Sequence, residues 1–461
     1  MTLDDCPLCI KKEGEDNDGN VSWIQCSNCK QWYHIKCLKM NELDINEIVS
    51  YHCDKCIKKV GPSIYKRKSK RSRVSIDYVA LNEGETFALD KSIHFQLPNF
   101  LKFEGTQELY VQDNLTKEYM LSTKMEKPIY IPNVDLKKVG MKLPRPKEEI
   151  TVDYITESCG SDTPVEVMDV ISQLGIQPQW NLAKWREYFN TPESKRDRIR
   201  NVISLEISNS SLGQNFVRPR AVEEMDLVDK VWDKNDEQQR SKVTKYCLMS
   251  VRNSFTDFHL DFGGTSVYYT VLKGKKTFLM FPPTDHNLKL YELWNLEPKQ
   301  NFIWYPDYTG KNKLKPELGF KVTLNPGDLF IIPSGWIHSV HTPEDSIVIG
   351  GNYLTLRDMN MQLKINQVEK VTKVPGKFRF PMFNKVVWLS AYYYLNNKEE
   401  FINDIKDEEG AKEIITSWIN HLSNHLEISK KNITAKKSIP IDKIGKPIQF
   451  LQKLESWSNE Y

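Results

Sequence analysis

Apolar and polar positions alternate in short runs through the middle of the chain. KYCLMSV (245–251), SVYYTVL (266–272), KTFLMF (276–281), KVTL (321–324), DLFIIP (328–333) and SIVIGGNYL (346–354) are rich in β-branched and aromatic residues and are broken by turn formers. Many short strands at near-regular spacing predict a sandwich or a barrel. Upstream, from 77 to 194, β-rich runs such as ELYVQD and PIYIPNV mix with helical ones, and TPESKRDRIRNVISLEIS (191–208) reads as a capped, charged helix feeding an apolar strand. Beyond residue 361 the period changes to that of a helix. WLSAYYYLNN and AKEIITSWINHLSNHLEI are both amphipathic, so 366–461 is expected to form a helical cap on a core at 195–365.

Composition narrows the class. Of 461 residues, 39% are apolar and 27% charged, enough for a packed core and against wholesale disorder. The longest nearly apolar stretch, Val386 to Leu395, is far short of the roughly 20 residues that span a bilayer. The acidic start MTLDDCPLC has no apolar signal core. A soluble intracellular chain without a membrane partner is the expectation. The net charge of +3 excludes a globally basic protein but leaves room for a basic patch. Residues 58–73, KKVGPSIYKRKSKRSR, are such a patch, rich in Lys and Arg and free of acids. Within a linker at 59–76 this run suits non-specific DNA contact or nuclear import.

Seven of the nine cysteines fall within the first 56 residues. With one histidine they form four pairs at two-residue spacing: Cys6 and Cys9, Cys26 and Cys29, His34 and Cys37, Cys53 and Cys56. Eight ligands of this kind make two tetrahedral zinc sites, and in a chain without a signal peptide they argue for metal over disulfides. Cys159 and Cys247 read as ordinary thiols. The order of four cysteines, one histidine and three cysteines, with Tyr51 just before the seventh ligand, resembles a PHD finger over 4–58. The resemblance implies cross-braced zinc, with Cys6, Cys9, His34 and Cys37 on one ion and Cys26, Cys29, Cys53 and Cys56 on the other. It also places Trp23 and Trp32 where methyl-lysine readers carry cage aromatics, whose faces hold a quaternary ammonium. The acidic run Glu13, Glu15, Asp16 and Asp18 would meet a basic histone tail. Trimethylated lysine 4 of histone H3 is the ligand the resemblance implies.

A second chemistry lies in TDFHLDFGG (256–264) and GWIHSVH (335–341). A His-x-Asp pair puts both side chains on one face of a strand. With a distant histidine it forms a two-histidine, one-carboxylate set for Fe(II): His259, Asp261 and His338. Chance alone supplies about one His-x-acid pair in a chain of this composition, so the pair needs its context. Thr256 three residues before His259, Lys276 in the next β-rich run and the PSGW turn before His338 supply that context. Gly263 and Gly264 would let a substrate backbone come close, or equally mark a simple bend. His341 reads as a surface histidine and not as a ligand.

These positions resemble the JmjC family of Fe(II)- and 2-oxoglutarate-dependent oxygenases, which have a double-stranded β-helix (cupin-like) core. The implied fold is α+β and multidomain: a small two-zinc finger, the JmjC core with flanking helices, and the helical cap. The implied anchors for 2-oxoglutarate are Thr256 and Lys276. NVISLEIS, KYCLMSV, FTDFHLDFGGTSVYY and FIIPSGWIHSVHTP are similar to the histone-demethylase-one branch of the family, with Asn201 a further contact and Tyr269 a wall of the same pocket. That branch removes methyl groups from lysine 36 of histone H3 by N-methyl hydroxylation, releasing formaldehyde, succinate and CO2. Its yeast-type members join a PHD finger to this domain without an F-box. Its animal members add a CxxC DNA-binding finger and leucine-rich repeats, which this chain departs from. The resemblance thus implies a nuclear enzyme that acts on the H3 tail or nucleosome. Two other readings use the same residues: a PHD-based reader with a non-catalytic JmjC scaffold, and a protein hydroxylase with the same iron centre.

Overall fold

The computed structural model describes residues 6–8, 22–38, 40, 48–65, 93–233, 235, 236, 240–310 and 313–461. Cys9, the acidic run at 13–18 and residues 66–73 of the basic run lie outside them. The chain divides into two units, Met1–Glu85 and Thr86–Tyr461.

In the first unit β1 (Trp23–Gln25) pairs antiparallel with β2 (Trp32–His34), and β3 (Ile48–Ser50) with β4 (Ile64–Tyr65). The helix α1 (Asp54–Val60) lies in the chain between β3 and β4. The unit's buried non-cysteine side chains among the described residues are Ile24, Tyr33, Ile35, His34, His52 and Tyr51. Burying so few apolar groups, at about 1.5–3 kcal/mol each, falls well short of the ordering cost of about 1–2 kcal/mol per residue.

The second unit is built on an eleven-stranded sheet. Its strands are β5 (Tyr110–Val111), β6 (Ile129–Ile131), β8 (Met168–Asp169), β9 (Leu174–Gly175), β11 (Arg200–Glu206), β12 (Tyr246–Ser250), β13 (Phe255–His259), β14 (Ser266–Phe281), β15 (Phe320–Leu324), β16 (Leu329–Ile332) and β17 (Ile337–Tyr353). The main path runs β5-β6-β16-β14-β17-β12-β11-β8-β9, with β13 added to β17 and β15 to β14. A separate small pair joins β7 (Pro164–Val165) to β10 (Trp180–Asn181). Among the described residues all pairings are antiparallel except β5 with β6.

Two runs that read as separate strands, SVYYTVL and KTFLMF, are one bent strand, β14. It pairs with β17 twice, Ser266 to Val271 against Tyr353 to Val348 and Thr277 to Phe281 against His341 to Ile337. The register shifts between Val271 and Thr277. Gly274 sits at this corner at φ +68°, and a Cβ there would lie 2.1 Å from the carbonyl oxygen of Asp345. Only glycine combines that backbone with that approach. The corner also changes which parity faces inward. Val267, Tyr269 and Val271 share a buried cluster with Phe278 and Met280, together with Phe320, Phe330, Trp336 and Val348. Tyr268, Leu272, Leu279 and Phe281 belong to the outer cluster, against flanking elements. On either side of the corner both faces of β14 are buried, which is why SVYYTVL and TFLMF are mostly apolar.

The helix expected from 191 onward is a single 3-10 turn, Glu193–Lys195, followed closely by β11. Two of the charges read as part of that helix are paired across the fold instead. Arg196 bonds Asp345 at 2.6 Å and Arg198 bonds Asp169 at 2.6 Å, while the Arg200 guanidinium lies 5.1 Å from the Trp180 and Tyr188 rings.

The C-terminal region is helical as expected, with α2 (Met359–Val371), α3 (Phe383–Asn396), α4 (Glu408–Ser429) and α5 (Pro447–Ser458). They close over their own aromatic core, in which Phe401 packs edge-on against Trp457 at 4.7 Å and near Trp418 at 5.8 Å. No helix among the described residues is long and apolar enough to cross a membrane.

Candidate functional site: two metal-ligating units

In the finger unit the sulfurs and imidazole gather in alternating pairs. Cys26, Cys29, Cys53 and Cys56 form one cluster, and Cys6, His34 and Cys37 another, each with its ligand atoms within 4.8 Å of one another. Backbone and amide donors already point at the sulfurs: Cys53 N–H to Cys26 Sγ at 3.3 Å, His34 N–H to Cys6 Sγ at 3.3 Å, and Asn28 Nδ2 to Cys56 Sγ at 3.2 Å. Such bonds favour the thiolate that a metal requires. One set of four cysteines, and a second of two cysteines plus histidine whose fourth partner Cys9 is outside the described residues, fit Zn(II). Trp23 stands opposite His34 and Trp32 opposite Gln25, so the two half-buried tryptophans share one face, diagonally. Trp23 lies on the His34 ring at 3.8 Å. Since apolar burial here is so small, zinc removal by a strong chelator is expected to unfold this unit. Fast amide exchange at Cys26, Tyr33 and Cys53, with protection at Trp388 and Trp418 unchanged, is the measurement.

In the second unit β13 delivers His259 and β17 delivers His338, directly opposite each other across the ladder. Their rings are 4.3 Å apart, and His338 Nε2 is 3.9 Å from an Asp261 oxygen. All three ligand atoms lie within 4.8 Å of one another. The opposition requires a bulge, because the register shifts by one between Thr256 and His259.

Each histidine is oriented by a carbonyl two residues earlier. His259 Nδ1 meets Asp257 O at 2.8 Å and His338 Nδ1 meets Trp336 O at 2.9 Å. With Nδ1–H donating, the Nε2 lone pair of each ring is left for a metal. Burial pushes both imidazoles down to about 4, so they are neutral at physiological pH. Burial raises the Asp261 carboxyl to about 6, the response of a carboxylate that needs a cation beside it. Two neutral imidazoles and one carboxylate on one side fit Fe(II) with open positions.

Next to these ligands lies a chain of polar groups inside the sheet. Lys276, 2% exposed, donates to Ser250 Oγ at 2.6 Å and Thr342 Oγ1 at 2.9 Å. Ser250 donates to Asn201 Oδ1 at 2.6 Å, and Asn201 Nδ2 reaches toward Thr256 Oγ1 at 3.4 Å. No carboxylate among the described residues pairs with Lys276, and burial pulls its ammonium down to about 7. Tyr269 packs edge-on against Phe278 at 5.2 Å, and Phe278 lies 5.8 Å from the His338 ring. The four residues named for 2-oxoglutarate, three of them buried and Thr256 half-buried, therefore lie in one region beside the ligands. A buried cation with donors to spare, two hydroxyls and an amide suit a carboxylate ligand.

Ser250 and Thr342 were not foreseen. Counting by twos along β17 from His338 through Val340 reaches Thr342, so that residue was legible from strand periodicity. Asn352 was also missed. Its Nδ2 donates to Thr265 Oγ1 at 2.8 Å and stands 3.5 Å from Asp261 Oδ1.

Two expectations are corrected. His341 is 6% exposed, not a surface residue. Its odd position on β17 turns it outward, where it packs against the Phe100 ring at 5.8 Å. The glycine pair is occupied by the protein itself. At φ +62° a Cβ on Gly263 would lie 2.7 Å from Phe380 Cβ, and one on Gly264 would lie 2.9 Å from Gln362 Cα. These glycines let the C-terminal helices approach the turn after Asp261.

The bent sheet, the three clustered ligand groups and the neighbouring buried lysine define the class: a cupin-like JmjC enzyme, an Fe(II)- and 2-oxoglutarate-dependent oxygenase. Comparison with known families agrees. Residues 6–56 match a PHD-finger, 162–359 a cupin-like domain and 357–457 a Jumonji helical domain. The chain is 65% identical over 471 residues to JmjC domain-containing histone demethylation protein 1 of Candida albicans, covering 100% of this chain and 98% of that one. It is 51% identical to the protein of the same name from Debaryomyces hansenii, covering 99% of each, and 37% identical to that from Saccharomyces cerevisiae, covering 95% and 98%. The chain belongs to the family of JmjC domain-containing histone demethylation proteins.

Proposed function

We propose that the protein is a nuclear histone demethylase that removes methyl groups from lysine 36 of histone H3. The supporting observation is the buried lysine pocket beside a two-histidine, one-carboxylate cluster, in a chain similar from end to end to proteins named for histone demethylation. His259, Asp261 and His338 hold Fe(II). Lys276, Thr256 and Asn201 receive the 2-oxoglutarate carboxylate, with Tyr269 as a wall. The carbonyls of Asp257 and Trp336 keep both imidazoles in the liganding tautomer, and the aromatic cluster around Phe278 and Trp336 excludes water. Bound there, iron with 2-oxoglutarate and O2 supplies the oxidation that hydroxylates an N-methyl carbon, with succinate and CO2 as by-products. The hydroxymethyl amine then collapses to formaldehyde and a lysine with one methyl fewer.

The PHD finger, carrying two Zn(II), reads methylated lysine 4 on the same tail, with Trp23 and Trp32 walling the ammonium. Trp32→Ala is expected to weaken binding of a lysine-4-trimethylated H3 peptide by roughly five- to thirtyfold, about 1–2 kcal/mol. Calorimetry checks this, with zinc content unchanged. The basic linker adds non-specific contact with nucleosomal DNA.

The test incubates the protein with Fe(II), ascorbate, 2-oxoglutarate and an H3 peptide dimethylated at lysine 36, followed by mass spectrometry. Stepwise loss of 14 mass units supports the reading (the mass of one CH2, roughly 14). A gain of one oxygen makes the enzyme a hydroxylase, and the absence of both product and succinate makes it a reader.

A further inference from the structure

We propose that Gln173 is a positioning residue for the iron ligand His259; this rests on the iron-site reading above. Among the described residues, strand β13 pairs with another strand, β17, along one edge only. Its ladder is interrupted by the bulge, and neither Asp257 nor Phe258 has a partner in the β17 register. The opposite edge of β13 faces the side-chain amide of Gln173. That amide donates from Nε2 to Phe255 O at 2.9 Å, and its Oε1 accepts the Asp257 N–H at 3.0 Å. A carbonyl at one residue and an N–H two residues on are the groups a neighbouring strand would satisfy. A single side chain satisfies them here.

The amide is itself anchored. Gln173 lies at φ +55° in the turn between β8 and β9, and its Nε2 also donates to Val170 O at 2.7 Å. The turn is tied down by Asp169, which accepts from Ser172 N–H at 3.0 Å and from Arg198 at 2.6 Å. β8 in turn pairs with β11, which carries Asn201 of the pocket.

Asp257 is the residue whose carbonyl takes the His259 Nδ1–H. Gln173 therefore fixes the N–H side of the residue whose C=O side aims the ligand. With the amide removed, the Asp257 N–H has no strand to return to, and its carbonyl is free to turn away from the imidazole. Loss of such an outer partner lowers metal affinity by about 10–100-fold in other sites. No local pattern points to this role, since Gln173 lies about 80 positions upstream of the strand it completes.

The experiment measures Co(II) binding, as a stand-in for Fe(II), to the full chain with Gln173→Met, Gln173→Glu or His259→Ala, using the visible absorption of bound cobalt. Zinc content and melting temperature are recorded for each. Gln173→Met is expected to bind Co(II) about tenfold or more weakly with an altered absorption band, while remaining folded and zinc-loaded. Gln173→Glu, which keeps an acceptor for the Asp257 N–H, is expected to lie between Gln173→Met and the unaltered protein. Cobalt affinity in Gln173→Met within about twofold of the unaltered protein overturns the proposal. So does global unfolding of both Gln173 variants, which would make the residue structural. Undiminished Co(II) binding by His259→Ala would instead overturn the iron-site reading.

Discussion

Alanine at His338 is expected to abolish demethylation, with turnover falling by about 10³-fold or more, equivalent to at least about 4 kcal/mol of barrier. The residue is 3% exposed and sits opposite His259 in the ladder, so the missing imidazole cannot be replaced by a side chain swinging in from solvent. His259 and Asp261 would remain as a two-group site, and two donors hold Fe(II) far less firmly than three. The fold should survive. His338 contacts the Phe278 ring at one side and otherwise spends its hydrogen bond on Trp336 O, and the cluster around Phe278 and Trp336 is large. The check is a paired measurement of succinate and peptide mass on a variant with an unchanged melting temperature. Succinate formation at the normal rate would show that His338 is not a ligand.

The parts of this molecule that were legible in the sequence are those in which chemistry is local. Cysteine pairs at two-residue spacing announce themselves, and His-x-Asp states its own geometry on a strand. Thr256 and Lys276, proposed for 2-oxoglutarate, are legible only through their nearness to that motif. What escaped was set by the corner at Gly274. Strand parity reverses there, so the inward face holds odd positions before the corner and even positions after it. Without the corner, Lys276 and Tyr269 would project from opposite faces of β14. Charge patterning misled for a related reason. Arg196 and Arg198 follow a 3-10 turn in a segment that mimics an exposed helix, yet their partners, Asp345 and Asp169, are 149 and 29 positions away. Pairing over such separations leaves no periodic trace. Gly263 and Gly264 were correctly singled out as positions of close approach, but the approaching group is Phe380 and helix α2, not substrate.

Lys276, the proposed anchor of the co-substrate, would tie its binding to pH. Its ammonium has three donors, and two are taken by Ser250 and Thr342. Without a carboxylate, burial holds the group at about 7, far below its ordinary 10.5. In the proposed complex 2-oxoglutarate brings the missing counter-charge, so the bound complex favours the protonated form. Above pH 7 the free enzyme has lost that proton and binding must recover it. The KM for 2-oxoglutarate is therefore expected to be flat below about pH 7 and to rise toward tenfold per pH unit above it. The stability of the free enzyme moves the other way. Between about 7 and 10.5 the unfolded chain holds a proton on this lysine that the native chain does not, so Lys276 makes stability increase with pH across that window. Lys276→Met removes both effects. It leaves a co-substrate carboxylate buried without its partner, a loss of about 3–5 kcal/mol, which is a KM about 150- to 4,000-fold higher. The variant's KM should also lose the rise above pH 7. Steady-state kinetics in 2-oxoglutarate from pH 6 to 9, run on both proteins, decides the matter: an unchanged KM in Lys276→Met, or a pH profile that survives the substitution, would place the co-substrate carboxylate elsewhere.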